Sequence, residues 1–178
     1  MRSIDISKLE LDWLFSQTDT DEQFPSAVQL LTGRKLTVAT AESCTGGLIG
    51  KMFTDVPGAS AVFVGGMITY TNRVKMHGLG VSAETIAEHS EVSAECAAEM
   101  AERARAFFES DIGISATGFA GPSGGNEHDE VGTVYLGISI ATDTVVYRLC
   151  FGALTRDEIR TRTAIFAAKK LTEMLKKD

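Results

Sequence analysis

Apolar runs and amphipathic segments alternate along most of the chain, a pattern typical of α/β proteins. Runs rich in β-branched and aromatic residues predict strands over residues 35–41, 61–70, 111–117, 131–141 and 144–151. Apolar residues at helical spacing predict helices over residues 24–31, 46–54, 82–89, 93–109 and from 155 onward. Because strands and helices alternate before a final antiparallel pair, the sequence predicts a three-layer α/β/α sandwich with a mixed, mostly parallel sheet.

Residues with capping preferences mark the ends of several predicted helices. Gly33 is predicted to cap the C-terminus of the first long helix. Thr155 and Glu158 have the spacing of a capping box, which opens the last helix. We expect the inner face of that helix to carry Ile159, Thr163, Phe166, Leu171 and Met174.

The first 22 residues differ from the rest of the chain because they are mostly polar and end in an acidic cluster. Within them, the apolar residues of segment 9–15 predict a short amphipathic turn or helix. We therefore divide the chain into an N-terminal appendage, residues 1–22, and a single domain, residues 23–178. The apolar residues of the appendage need burial, so we expect it to dock on the domain or on another subunit of a homo-oligomer.

Composition narrows the classes of function. The chain has 178 residues, 44% of them hydrophobic, a net charge of −7 and a pI of about 5.0. This acidity argues against direct binding to nucleic acid, which needs a basic face. We expect no membrane span, because no apolar run approaches the ~20 residues required. The three cysteines and three histidines are scattered without metal-ligand spacing, so we expect no metal, no cofactor and a reducing cytoplasmic location.

One polar turn between a predicted strand and a predicted helix stands out as a candidate site. Ser43 lies in this turn, at the C-terminal end of a strand, where open α/β sheets bind ligands. The backbone N–H groups of Cys44, Thr45 and Gly46 would be unpaired donors that attract a phosphate or an oxyanion. The alternative is a helix N-cap followed by glycines, Gly46 and Gly47, that only allow close packing.

Two further segments follow predicted strands and could meet Ser43 at one edge of the sheet. Residues 70–75 contain Lys75, the best-placed candidate for a base that activates a serine; otherwise it is a surface lysine on a short helix. Residues 118–125 form a glycine-rich loop, and Gly65 inside a strand indicates a bulge or the close approach of a ligand. The templates of short-chain dehydrogenases, serine esterases and P-loop proteins do not fit, so the residues alone indicate a glycine-lined pocket, for which a serine hydrolase is one interpretation.

Five motifs, taken together and in this order, resemble one protein family. They are Ala-Glu-Ser-Cys-Thr-Gly-Gly at 41–47, Gly-Gly-Met-Ile-Thr-Tyr-Thr-Asn-Arg-Val-Lys at 65–75, Thr-Gly-Phe-Ala-Gly-Pro-Ser-Gly-Gly at 117–125, Val-Gly-Thr-Val-Tyr at 131–135 and Arg-Asp-Glu-Ile-Arg at 156–160. Over roughly residues 24–175 the chain looks like the C-terminal domain of CinA-type competence/damage-inducible proteins. Stand-alone members of that family include nicotinamide mononucleotide deamidases of pyridine nucleotide salvage.

The resemblance implies hydrolysis of the carboxamide of nicotinamide mononucleotide to nicotinic acid mononucleotide and ammonia. It implies Ser43, Tyr70 and Lys75 as catalytic residues. Substrate contacts are expected from the Ser43 turn, the glycine positions and two arginines: Cys44, Thr45, Gly46, Gly47, Gly65, Gly118, Ala120, Gly121, Gly124, Gly125, Arg156 and Arg160. The loop backbone or one of the arginines would hold the phosphate, unless Arg160 only pairs with Glu158 or faces solvent.

The chain departs from the family pattern at Asp129 and Glu130, which add negative charge close to the glycine-rich loop. If that loop holds a phosphate, the affinity or the choice of substrate could differ from that of other members. Two alternatives therefore stay open. The first is a binding or regulatory module without catalysis, and the second is an amidase or esterase that acts on another small substrate.

Overall fold

Six strands form one sheet in the computed structural model, which describes residues 1–177. The predicted end of the domain at residue 178 lies outside the described residues. The sheet has the spatial order β1-β6-β5-β4-β2-β3. Its strands are β1 (Arg2–Ile6), β2 (Val38–Glu42), β3 (Phe63–Ile68), β4 (Ile112–Gly118), β5 (Thr133–Ile140) and β6 (Asp143–Cys150).

Helices connect the strands and cover both faces of the sheet. They are α1 (Lys8–Ser16), α2 (Gln23–Arg34), α3 (Leu48–Thr54), α4 (Asn72–Val74), α5 (Ala83–His89), α6 (Ala94–Phe107) and α7 (Arg156–Lys177). A π-helical turn, Lys75–Leu79, directly continues α4, and a 3₁₀ turn, Ala59–Ala61, precedes β3.

Strand directions place three chain turns at the same edge of the sheet. β2 pairs in parallel with both β3 and β4, whereas β4 and β5, like β5 and β6, pair antiparallel. The C-terminal ends of β2, β3 and β4 therefore point the same way, and the segments that follow them are neighbours in space. This arrangement confirms the predicted α/β fold with a mixed sheet.

The two faces of the sheet are covered in different ways. The larger core joins α2, α3 and α7 to one face, and Ile159, Phe166 and Leu171 of α7 are fully buried in it, as predicted. On the other face the alanine-rich helix α6 packs closely against the strands. A Cβ added at Gly113 or Gly137 would lie within 2.6 Å of a backbone oxygen of α6, so the backbones pack without intervening side chains.

The N-terminal segment contributes a strand that the sequence analysis did not predict, because β1 pairs in parallel with β6. In α1, Leu11 is buried and contributes to the core, whereas Leu9 and Trp13 are 82% and 70% exposed. The homo-oligomer that would cover these two side chains stays a prediction. No helix within residues 1–177 is both long enough and apolar enough to cross a lipid bilayer.

One predicted helix end was wrong. Gly33 lies inside α2, which continues to Arg34, and Lys35 forms the C-terminal cap with a left-handed φ of 57°. The N–H of Lys35 donates to the carbonyl of Thr32, and that of Leu36 to Leu31. The chain thus ends the helix two residues later than predicted, with a non-glycine residue in the conformation that glycine usually takes.

Candidate active site

A cavity of about 250 Å³ lies at the edge of the sheet where β2, β3 and β4 end. It brings together residues of the Ser43 turn, the segment after β3, the glycine-rich loop and the start of α7. Among the predicted site residues, the following line it: Ser43, Cys44, Tyr70, Lys75, Gly118, Ala120, Gly121 and Arg156. These residues come from four separate parts of the sequence, so the three strand ends do meet around one cavity.

Backbone hydrogen bonds fix Ser43 at the C-terminal end of β2. The N–H of Ser43 donates to the carbonyl of Ala116 in β4 at 2.8 Å. Directly before it, the carbonyl of Glu42 accepts from the N–H of Thr69, also at 2.8 Å. The turn is therefore tied to both neighbouring strands at the residue where β2 ends. Ser43 is nearly buried and its hydroxyl faces the cavity beside Lys75.

The carboxylate of Glu42 occupies the N-terminus of α3. One of its oxygens accepts from the N–H groups of Gly47 and Ile49, both at 3.0 Å, and the other accepts from Gly50 at 2.8 Å. Gly47, at the N-cap, has no side chain that could do this. The carboxylate thus stabilises the positive end of the helix dipole, and this helix end is not free to bind a phosphate.

One donor of the turn remains at the cavity wall for an oxyanion. The N–H of Gly46 donates to the carbonyl of Ser43, which corrects the expectation that it is unpaired. In the part of the chain that the structure describes, the N–H groups of Cys44 and Thr45 have no hydrogen-bond acceptor in another residue, and only Cys44 lines the cavity. Cys44 follows the serine directly, which is where a nucleophile's oxyanion hole usually takes one of its donors.

Lys75 is buried, unlike an ordinary surface lysine. Its side chain is 1% exposed, and Nζ lies 3.1 Å from Oγ of Ser43, within hydrogen-bond distance. Burial lowers the pKa of Lys75, while negative charge on Cys96, Glu91 and Cys44 would raise it. Lysine in such a place can serve as a neutral amine that accepts the serine's proton. The alternative of a solvated lysine on a short helix is wrong.

The thiol next to Ser43 is not a competing nucleophile. Cys44 is buried, and burial raises the pKa of its thiol to about 12. Only the thiolate is a strong nucleophile, so a thiol with such a pKa is almost entirely unreactive near neutral pH. The arrangement of the cavity therefore favours the hydroxyl of Ser43 over the neighbouring sulfur.

Tyr70 and Arg156 form a pair on another wall of the cavity. Nη2 of Arg156 donates to the hydroxyl of Tyr70 at 3.2 Å, and Nη1 donates to the carbonyl of Gly121 at 2.8 Å. Tyr70 is 58% exposed and has no hydrogen bond with Ser43 or Lys75 among the described residues. The serine–lysine contact is direct, so proton transfer between them needs no tyrosine in between.

Seven predicted contact residues do not line the cavity. Arg160 donates from Nε and Nη2 to the carbonyl of Thr45, at 3.3 and 2.8 Å, and so holds the Ser43 turn instead of reaching the cavity. Gly65 lies in the middle of β3, where a Cβ would meet the ring of Phe108 at 3.0 Å. Its close neighbour is thus a side chain of this protein. The full set comprises Thr45, Gly46, Gly47, Gly65, Gly124, Gly125 and Arg160.

The glycine-rich loop contributes its first part to the cavity and uses its second part to turn. Gly124 and Gly125 have φ values of +117° and +90°, which only glycine adopts easily. A Cβ at Gly124 would lie 3.1 Å from the ring of Phe119. These two glycines are required by the backbone, and the cavity wall is formed by residues 118–121 and Ser123.

The extra negative charge of Asp129 is neutralised within the protein. Its buried carboxylate accepts from Nε and Nη2 of Arg148, at 2.9 and 2.7 Å, and from the hydroxyl of Tyr135 at 3.0 Å. Glu130 is exposed, and neither acidic residue lines the cavity. This departure from the family pattern therefore does not place a free carboxylate in the cavity.

Sequence reasoning missed several residues of the site. Glu42 is part of the first motif, and a carboxylate five residues before a helix N-cap that has no polar side chain is a signal that could have identified it. Glu91, Asn72 and Phe119 also line the cavity. Glu91 had no local signal, because it lies between two helices and reaches the cavity only through the packing of α6 on the sheet.

Comparison with known proteins identifies the family of the chain. The family model described as the CinA C-terminal domain matches residues 22–175. A CinA-like protein of Thermotoga maritima is 44% identical over 149 residues, which cover 84% of this chain and 36% of that protein. The chain thus spans about a third of that relative, whose remaining length has no counterpart in the match.

Two solved structures resemble the whole domain. The competence/damage inducible protein CihA from Agrobacterium tumefaciens is 36% identical, with a TM-score of 0.84 over 89% of this chain and 96% of that one. A competence-damaged protein (CinA) superfamily protein from Klebsiella pneumoniae 700603 is 30% identical, with a TM-score of 0.86 over 90% of this chain and all of that one. Their names describe a family and an induction by damage or competence, and they name no reaction.

Proposed function

The chain belongs to the CinA C-terminal domain family, and from this premise we propose that it hydrolyses the carboxamide of nicotinamide mononucleotide. The products would be nicotinic acid mononucleotide and ammonia. The reaction class is an amide hydrolysis with a serine nucleophile and a lysine base. It requires neither a metal nor an organic cofactor.

The observation that carries the proposal is the buried contact between Lys75 and Ser43. Nζ lies 3.1 Å from Oγ, a distance at which a neutral amine can take the hydroxyl proton directly. A lysine that only supported the fold would seldom be placed against a serine hydroxyl at the wall of a cavity, because burying an unpaired ammonium is costly. The lowered pKa and the geometry therefore support the same role.

The proposed reaction has two stages. Lys75 removes the proton of Ser43 while Oγ attacks the carboxamide carbon, and the oxyanion is stabilised by the N–H group of Cys44. Such a donor typically contributes about 3–4 kcal/mol to the stability of the transition state. The lysine then gives its proton to the leaving nitrogen, and ammonia departs from an acyl-enzyme. Water, activated by the same amine, hydrolyses the ester and restores the serine.

Arg156 is the group best suited to the phosphate of the substrate. It lines the cavity, it is held in place by Tyr70 and the carbonyl of Gly121, and its guanidinium retains donors for an anion. Arg160 and the N-terminus of α3 are already used inside the protein. In this proposal Tyr70 positions Arg156 and forms part of the cavity wall. It takes no part in the proton transfer, although the family resemblance implied that it is a catalytic residue.

The test is release of ammonia from nicotinamide mononucleotide by the purified protein and by Ser43→Ala. We expect the variant to lose at least a thousandfold in kcat while it still binds the mononucleotide, because only one hydroxyl is removed. Ser60→Ala, at an exposed position outside the cavity, is the matched control. Near-normal turnover by Ser43→Ala would show that another group attacks the amide.

The same experiment distinguishes the two alternatives. A wild-type protein that binds the mononucleotide without releasing ammonia would be a binding or regulatory module. A protein that ignores the mononucleotide but cleaves other small amides or esters with Ser43 would keep the mechanism and change the substrate.

A further inference from the structure

The cavity is lined by an acidic residue that the mechanism above does not use. Glu91 lies between α5 and α6 and lines the cavity together with Ser43 and Lys75. Within the described residues its carboxylate takes part in no salt bridge, and its hydrogen bond comes from the hydroxyl of Ser90 at 3.2 Å. A carboxylate that forms no ion pair, in a residue at the wall of a cavity, is one that a positively charged ligand can neutralise.

The backbone holds Glu91 at this place firmly. The carbonyl of Glu91 accepts from the hydroxyl of Thr117 in β4 at 2.7 Å, and the carbonyl of Ser90 accepts from the hydroxyl of Ser93 at 3.0 Å. Ser90 itself has a φ of +76°, an unfavourable conformation for a residue with a side chain. Such conformations persist where the surrounding contacts fix them, and they are frequent next to functional sites.

Two aromatic residues of the cavity suit a flat cationic ring. Tyr70 and Phe119 present aromatic groups to the same cavity, and aromatic faces attract cations. The basic residues that line the cavity are Lys75 and Arg156. Arg156 is anchored to Tyr70 and Gly121, whereas the charge of Glu91 is among those that act on Lys75. Glu91 is thus available for the cationic part of a ligand, and Arg156 for its anionic part.

We propose that Glu91 is a specificity-determining residue that selects a positively charged aromatic ring over a neutral ring of the same size. This inference rests on the proposed function, in which the carboxamide is attached to the pyridinium ring of nicotinamide mononucleotide. The carboxylate of Glu91 and the ring charge attract each other in a partly buried cavity, where such attraction is stronger than in water.

The same contact would support the base. Negative charge on Glu91 raises the pKa of Lys75 and so opposes the effect of burial. A cationic ring beside Glu91 compensates this negative charge and itself disfavours a second positive charge nearby. Lys75 would therefore be neutral most readily when the correct substrate is bound.

The test compares two ligands that differ in ring charge. Nicotinamide mononucleotide has a cationic ring, and its reduced 1,4-dihydro form has the same carboxamide, ribose and phosphate on a neutral ring. Dissociation constants would be measured by calorimetry in a Ser43→Ala background, where no turnover interferes. We expect at least a tenfold preference for the cationic ligand, and less than a threefold preference after Glu91→Gln or Glu91→Ala. Glu91→Asp should keep the preference.

Glu88→Gln is the matched control, because it removes one exposed carboxylate from α5 outside the cavity. It should retain the preference of the parent. If the Glu91→Gln and Glu91→Ala proteins fold and still prefer the cationic ligand tenfold, the inference is wrong, although wild-type ammonia release would leave the proposed function intact. If the wild type neither binds nor hydrolyses the mononucleotide, the proposed function fails and the inference fails with it.

Discussion

Replacing Glu42 with glutamine should destabilise the fold and misplace the nucleophile at the same time. The glutamate accepts three backbone N–H groups at the start of α3, at 3.0, 3.0 and 2.8 Å, and its side chain is 1% exposed. Glutamine has almost the same size but only one acceptor oxygen. In its best orientation the oxygen keeps the N–H groups of Gly47 and Ile49, and the amide NH₂ then faces the N–H of Gly50.

The expected decrease in stability follows from the hydrogen bond and the negative charge that the glutamine lacks. One charge-assisted hydrogen bond to a buried donor contributes about 1.5–3 kcal/mol. Loss of a negative charge at the N-terminus of a helix adds about 0.3–1 kcal/mol. We therefore expect Glu42→Gln to lower the free energy of unfolding by about 2–4 kcal/mol. With a urea m-value of about 2 kcal/mol/M, the midpoint of unfolding should fall by about 1–2 M.

Urea unfolding followed by far-UV circular dichroism measures this shift, and ammonia release from nicotinamide mononucleotide measures the consequence for Ser43. We expect kcat to fall at least tenfold under conditions where the variant is folded, because a small displacement of a nucleophile is costly. Glu10→Gln is the matched control, since Glu10 caps the exposed helix α1 in a similar way. An unchanged midpoint in Glu42→Gln, or a shift no larger than that of Glu10→Gln, would refute the reasoning.

Two further predictions concern the base and the glycine-rich loop. Lys75→Met should reduce kcat at least a hundredfold, and ammonia release by the wild type should rise with pH through a pKa below the ordinary lysine value of 10.5. The unfolded chain binds the proton of the Lys75 amine more tightly than the folded protein does, so the free energy of unfolding increases as pH rises from the lowered pKa to 10.5. In urea unfolding, the stability of Lys75→Met relative to the wild type should therefore be highest at low pH. A difference in stability that does not depend on pH would contradict this reasoning. Gly124→Ala should cost about 1–2 kcal/mol in unfolding free energy, since its φ is +117°. It should raise KM for nicotinamide mononucleotide and nicotinamide riboside alike, and an effect on the mononucleotide alone would show that Gly124 contacts the phosphate.

The predicted elements that the structure reproduces are those whose pattern is local. The long apolar stripe of α7 and its capping box predict that helix, and the hydroxyl of Thr155 and the carboxylate of Glu158 make the expected reciprocal bonds. β1 was not predicted in this way, because Arg2–Ile6 is mostly exposed and its apolar face consists of only two residues, Ile4 and Ile6. Its extended state comes from pairing with β6, some 140 residues away in the chain.

The sequence by itself determined which residue types could act and that Ser43, Tyr70 and Lys75 follow strands. It could not give the order in which those strands lie in the sheet. Only the folded arrangement of β3, β2 and β4 brings Nζ of Lys75 to 3.1 Å from Oγ of Ser43 and buries the lysine side chain. It also decided that Arg160 holds a turn while Arg156 faces the cavity. The physical reason is that capping and periodicity depend on near neighbours in sequence, whereas burial, pKa and cavity shape depend on distant segments that meet only after folding.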